Sequence, residues 1–95
     1  MYLRLTRARF DPGLADQVEP LASEVRAAMG RLPGLQHNHQ GIDRAAGTVA
    51  AVSVWDSGEH ARFSREALGD PISRLQALGV QFEPPEIYEI MDGDG

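Results

Sequence analysis

The chain contains no cysteine and no lysine, and it has no long apolar run. Without cysteine there are no disulfides, no thiolate metal sites and no cysteine nucleophile. Without lysine, all nine fixed positive charges are arginines. No stretch approaches the roughly 20 apolar residues of a membrane helix, and no basic segment leads into an apolar one as in a secretory signal. These absences lead us to expect a cytoplasmic protein with no membrane partner. The net charge is −5 and there is no basic run. That argues against nucleic acid, whose binding rests on neutralising phosphates. Gly-rich phosphate loops, nucleophile triads and Walker-type patterns are also missing. The expectation is therefore a protein without a cofactor or a metal.

What is present is short: 95 residues, 42% of them apolar, enough for one domain spanning 1–95. A domain of this size buries only about 60–65% of its unfolded surface. Either its stability is marginal or it gains burial by pairing.

Tyr2 to Phe10 reads as a strand, rich in residues that favour the pleat. Asp11-Pro12-Gly13 is a turn. Leu14, Val18, Leu21, Ala22, Val25, Ala28, Met29 and Leu32 then recur at helical spacing up to Pro33-Gly34. Pro20 falls inside this run, so the helix either bends there or becomes regular near it. Leu35 to Asp43 is a polar second strand, joined by a hairpin ending in Gly47 to the strand Thr48 to Trp55. Both faces of that third strand are mostly apolar, which implies cover on both sides. Asp56 to Glu59 opens a second helix, with Asp56 and Ser57 as rival caps, and Gly69 stops it. Asp70-Pro71 opens a short third helix. A last strand, Val80 to Phe82 and Ile87 to Met91, is interrupted by Pro84-Pro85, so it belongs on an edge. Asp92-Gly93-Asp94-Gly95 reads as a frayed tail.

This order is β-α-β-β-α-β, an α+β ferredoxin-like fold with a four-stranded antiparallel sheet and helices on one face. The other sheet face would be bare yet apolar, too large a patch for a soluble monomer. The simplest cover is a second copy, giving a homodimer in which two sheets close into a barrel-like core.

The segments Gly41 to Arg44, Val52-Ser53-Val54-Trp55-Asp56-Ser57-Gly58-Glu59-His60-Ala61 and Pro85-Glu86-Ile87-Tyr88-Glu89-Ile90 resemble the antibiotic biosynthesis monooxygenase family of the dimeric α+β barrel superfamily. The resemblance implies a cofactor-independent monooxygenase acting on a phenolic or quinol-like small molecule. It also implies an apolar, aromatic-lined pocket, with Trp55 at the position of a pocket-bordering family Trp. Haem-degrading relatives carry an Asn where this chain has Thr6 and a His where it has Glu66, and His60 does not match that His. These departures count against haem. Chemistry of the monooxygenase type needs only a dry pocket, a group to assist deprotonation and a cation or donor for the oxyanion.

Arg4 and Thr6 share one face of the first strand and are candidates to hold that oxyanion. An alternative is that Arg4 pairs with Glu86 or Glu89. His37 and His39, two apart on one strand face, are candidates for the base, since histidine titrates near neutrality. Equally they could be ordinary exposed residues of a polar strand, or two ligands of a metal completed by His60 or Asp43. Trp55 and Phe63 are candidate pocket lining, with core packing as the alternative. His60 shares a helical face with Phe63 and could border the same ligand or face water. Tyr88 could donate into the pocket or lie at the dimer seam. Arg62 and Arg65 read as a solvated face. A rival reading of the whole chain is a non-enzymatic dimeric module that binds a small ligand or a partner protein.

Overall fold

The computed structural model describes residues 1–92; the tail read as frayed lies outside these, apart from Asp92. Strand β1 (Tyr2–Arg9) is followed by a short 3-10 turn and helix α1 (Ala15–Met29). Strands β2 (Leu35–Asp43) and β3 (Thr48–Trp55) form a hairpin. The next elements are a single turn of helix, α2 (Gly58–Ala61), a 3-10 turn over Arg65–Leu68, and helix α3 (Asp70–Ala77). The fourth strand position is split into β4 (Gln81–Phe82) and β5 (Glu86–Glu89). The sheet is antiparallel, in the order β2-β3-β1, with β4 and β5 both pairing β1 at the far edge. This is the expected α+β ferredoxin-like arrangement. Glu83-Pro84-Pro85 interrupts the edge, and each half of the strand pairs a different end of β1.

Register assigns the two faces. Arg4 lies opposite Ser53, Thr6 opposite Ala51 and Ala8 opposite Val49. These side chains point toward the helices, where Phe10, Val18, Leu21, Leu75 and Val80 form one buried cluster. Trp55, Met29, Ala61, Leu68 and Ile72 form the other. Leu3 and Leu5 lie opposite Val54 and Val52 and point to the other face, where among the described residues no helix covers them. Val52 is 36% exposed there and Tyr88 50%. The two-sided apolar character of β3 thus has one face buried and one open in the single chain.

Gly47 closes the β2–β3 hairpin at φ 72°. It accepts from the Phe10 amide (2.9 Å), and any Cβ would run into the Phe10 carbonyl. Only glycine meets both conditions.

For α1 the alternative of a start near Pro20 is excluded, and the second helix needs correction. Helix α1 is regular from Ala15, five residues before Pro20. Pro20 is exposed and costs one hydrogen bond to Asp16, which solvent can supply in the first turns of a helix. The second helix is broken, because only one turn forms before the chain leaves helical geometry at Arg62. The Ala61 and Phe63 carbonyls instead accept hydrogen bonds from Arg4 Nη1 (2.8 and 3.3 Å). A strand guanidinium does here what the next helical amides would have done. Ser57 is the cap, accepting from the His60 amide (3.1 Å), and Asp56 turns to the His60 ring instead.

Candidate functional site

Between the helix-facing side of the sheet and the helices lies a cavity of about 310 Å³. It sits where the two apolar clusters meet; Val25 and Phe82 pack against both. Small side chains on the sheet, Ala8, Ala51 and Ser53, leave the room, while Met29, Ile72 and Leu75 close it from the helices. Its volume is at the lower end for small-molecule pockets.

Arg4 is the central group. It lines the cavity yet is only 7% exposed. Its Nη1 donates to the two freed carbonyls, its Cζ lies 3.9 Å from the Phe63 ring centroid, and its Nε is buried with no partner. No carboxylate forms an ion pair with it among the described residues. The pairing with Glu86 considered as an alternative does not occur. Glu86 instead meets Arg7 (3.6 Å) and Tyr88 on the open face. Glu89 shares the helix-facing side with Arg4, beyond Tyr2, but forms no ion pair with it. Burial, and next the charge of Arg65, lower the Arg4 pKa from its ordinary value. Arginine starts so high that it remains a cation.

Thr6 and Phe63 line the same cavity. Trp55 does not. It is fully buried behind Phe63, with ring centroids 5.1 Å apart, and its Nε1 donates to Ser53 Oγ (2.8 Å). It therefore positions two lining residues, Phe63 and Ser53, rather than lining the cavity itself.

The histidines and Tyr88 lie elsewhere. His37 lies opposite Val54 and His39 opposite Val52, on the open face of the sheet. The pleat that places Asn38 toward the helices turns both away from Arg4. They do not converge on this cavity, and neither is placed to act as a base in it. Tyr88, opposite Leu3, shares the open face and donates to Glu86 (2.7 Å). That bond and the negative charge of Glu86 raise its pKa above the ordinary value. Among the described residues no three His, Asp or Glu side chains come together as a metal site. Glu66, at the position where haem-degrading relatives carry His, is exposed.

His60 sits at the start of α2, outside the cavity lining. Its Nδ1 lies 2.7 Å from Asp56 Oδ1, over Gly34, where a side chain would collide with the pair. The hydrogen bond from His60, and then its charge, hold the Asp56 carboxyl below its ordinary value. A carboxyl depressed in the folded state contributes stability above its unfolded pKa and loses it as pH falls through the folded value. In His60→Ala, which removes the hydrogen bond and the charge, the Asp56 carboxyl should therefore titrate higher than in the unaltered protein. Side-chain carboxyl NMR shifts followed against pH check this.

Arg65 was missed as a cavity residue. Its sequence neighbours suggested a solvated helix face, but the helix break turns it inward, where its Cζ lies 4.6 Å from the Phe82 ring centroid. Glu83, half-buried on the lining, was missed as well.

No family model and no curated protein matches the chain. Solved structures do match it in fold. One is described as a candidate antibiotic biosynthesis monooxygenase from Deinococcus radiodurans. It is 16% identical, with a TM-score of 0.80 over 100% of this chain and 97% of the other. A candidate antibiotic biosynthesis monooxygenase from Chloroflexus aurantiacus is 21% identical, with a TM-score of 0.72 over 99% and 96%. SnoaB, a cofactor-independent oxygenase from Streptomyces nogalater, is 17% identical, with a TM-score of 0.70 over 97% and 94%. The resemblance read from the sequence is matched by these structures at the level of the fold.

Proposed function

We propose that the chain is a cofactor-independent monooxygenase whose substrate is a small phenolic or quinol-like compound, bound as its anion in the cavity beneath the helices. The observation that carries this reading is Arg4: a buried guanidinium with no carboxylate partner, beside an apolar cavity. A buried charge is costly unless something pairs with it. A phenolate oxygen would supply that pairing and would bind more tightly than the neutral phenol.

The chemistry follows from holding that anion. Glu83, which forms no ion pair among the described residues, is the carboxylate on the lining available to take the phenolic proton. The electron-rich carbanion form passes one electron to dioxygen, and the resulting radical pair closes a C–O bond to give a peroxide. The hydrogen that this carbon still carries then leaves as a proton as the O–O bond breaks, which leaves a carbonyl. One oxygen atom stays in the product and the other leaves as water; the substrate supplies all the electrons. Arg4 holds the oxyanion, and Thr6 and Ser53 offer hydroxyls on the same lining. Phe63, backed by Trp55, gives an aromatic wall.

The same reading includes a homodimer. Leu3, Leu5, Val52 and Val54 share the face that no helix covers, and a second copy packed sheet to sheet would bury them. His37, His39 and Tyr88 then belong to the seam rather than to the cavity.

The test is oxygen uptake by the protein with a panel of anthrones and quinols, alongside ligand binding read from Trp55 fluorescence. The expected result is uptake of one dioxygen per carbonyl formed. Binding without uptake would favour the non-enzymatic ligand-binding module, and no binding would overturn both.

A further inference from the structure

Arg4 is not the only cation on the cavity lining without an acidic partner. Arg65 is half-buried, also lines the cavity, and forms no ion pair among the described residues. Each guanidinium is held by an aromatic ring, Arg4 by Phe63 and Arg65 by Phe82. The two are close enough for the charge of Arg65 to disfavour that of Arg4. Of the two acids on the lining, Glu19 is engaged by Arg44 of the β2–β3 hairpin. Glu83 forms no ion pair with Arg4 or Arg65; of the other two arginines on the lining, Arg7 meets Glu86, and Arg26 is exposed and donates to the Asn38 carbonyl. Like charges set around an apolar cavity without a protein counter-ion call for an anion from outside.

We infer that the ligand of this cavity carries a carboxylate in addition to its phenolic oxygen, the carboxylate being held by Arg65 and the phenolate by Arg4. The assignment of the two ends follows from hydration. A carboxylate concentrates its charge on two oxygens and is costly to strip of water. Arg65 is the more exposed of the two and can offer it a planar fork while leaving it partly wet. A phenolate spreads its charge into its ring and tolerates the drier position. At Arg4, Nη1 is committed to the protein while Nη2 makes no hydrogen bond among the described residues and is not among the enclosed atoms. The inference rests on the proposed anionic substrate and narrows it to hydroxyaryl carboxylates.

A matched pair of probes tests it: a dihydroxyanthraquinone and the same molecule with one ring carboxylate. Affinities are measured by Trp55 fluorescence and calorimetry for the unaltered protein, Arg65→Gln and Arg65→Lys, with thermal unfolding as the check of folding. The carboxylate probe should bind the unaltered protein about tenfold more tightly, with a preference that shrinks as salt is raised. Arg65→Gln should abolish that preference, and Arg65→Lys should retain part of it. Equal binding of the two probes to the unaltered protein would overturn the carboxylate assignment and leave the Arg4 reading standing. So would an equal loss of both in Arg65→Gln. Failure of both probes to bind the unaltered protein would overturn both readings.

Discussion

Arg4→Met is expected to weaken binding of a hydroxyaryl anion about a hundredfold while changing the free energy of unfolding by no more than about 1 kcal/mol. The two halves have different origins. A hydrogen bond between two charged groups in a dry site is worth about 2–3 kcal/mol, and Met offers the ligand no donor. Stability is a closer balance. The change removes the desolvation of a buried cation that no carboxylate offsets. It also removes the hydrogen bonds to the Ala61 and Phe63 carbonyls and the stacking on Phe63. Met keeps most of the volume and packs against aromatic rings. Calorimetric titration and urea unfolding of the same preparation separate the two quantities. A loss of several kcal/mol in stability with unchanged affinity would make Arg4 a structural bolt for the broken helix, and the proposed site would fall.

In Val52→Asp the proposed dimer should dissociate, with a dissociation constant raised by at least about a thousandfold. Val52 is among the most exposed apolar residues of the sheet's open face, lying between Leu5 on β1 and His39 on β2. In a two-fold interface each substitution occurs twice, and an unpaired charge at the centre of such an interface costs about 2–5 kcal/mol per copy. Stability of the single chain should change little, because Val52 faces away from both apolar clusters. Light scattering should give about twice the chain mass of 10.4 kDa for the unaltered protein and the chain mass for the variant. A monomer before substitution would overturn the dimer.

The fold was legible because its signals were local. The double apolar face of β3, the glycine at the hairpin end and the proline pair on the last strand each act within a few residues, and each reappears in the register. The site was less legible because it depends on pleat phase across three strands. Arg4 and Thr6 were named on the strand face that does reach the cavity. His37 and His39 were named for their chemistry, but β2 pairs β3 with a shift between Leu35 and His37, which sends both to the other face. No spacing rule within β2 reveals that phase. Arg65 was hidden for a different reason: helical periodicity predicts a continuous helix there, and a side chain 61 positions earlier interrupts it. The signal that could have found it is the absence of any acid on β1 to neutralise a helix-facing Arg4.

The interrupted fourth strand governs how copies of this chain can associate. A continuous strand at that edge would offer a row of free backbone donors and acceptors, and any other extended chain could add to it without limit. Pro84 and Pro85 carry no amide hydrogen, and the segment between the two half-strands offers no regular ladder. The opposite edge, β2, exposes Gln36, His37, His39 and Gln40 and carries the register shift. One flank is interrupted and the other is polar with an irregular start, so strand addition is disfavoured at both, and burial of the apolar face becomes the favoured route to association. In the proposed dimer two such faces would satisfy each other and leave nothing over. A chain built this way would combine an adhesive surface with a finite assembly, the proposed dimer, rather than an open-ended one.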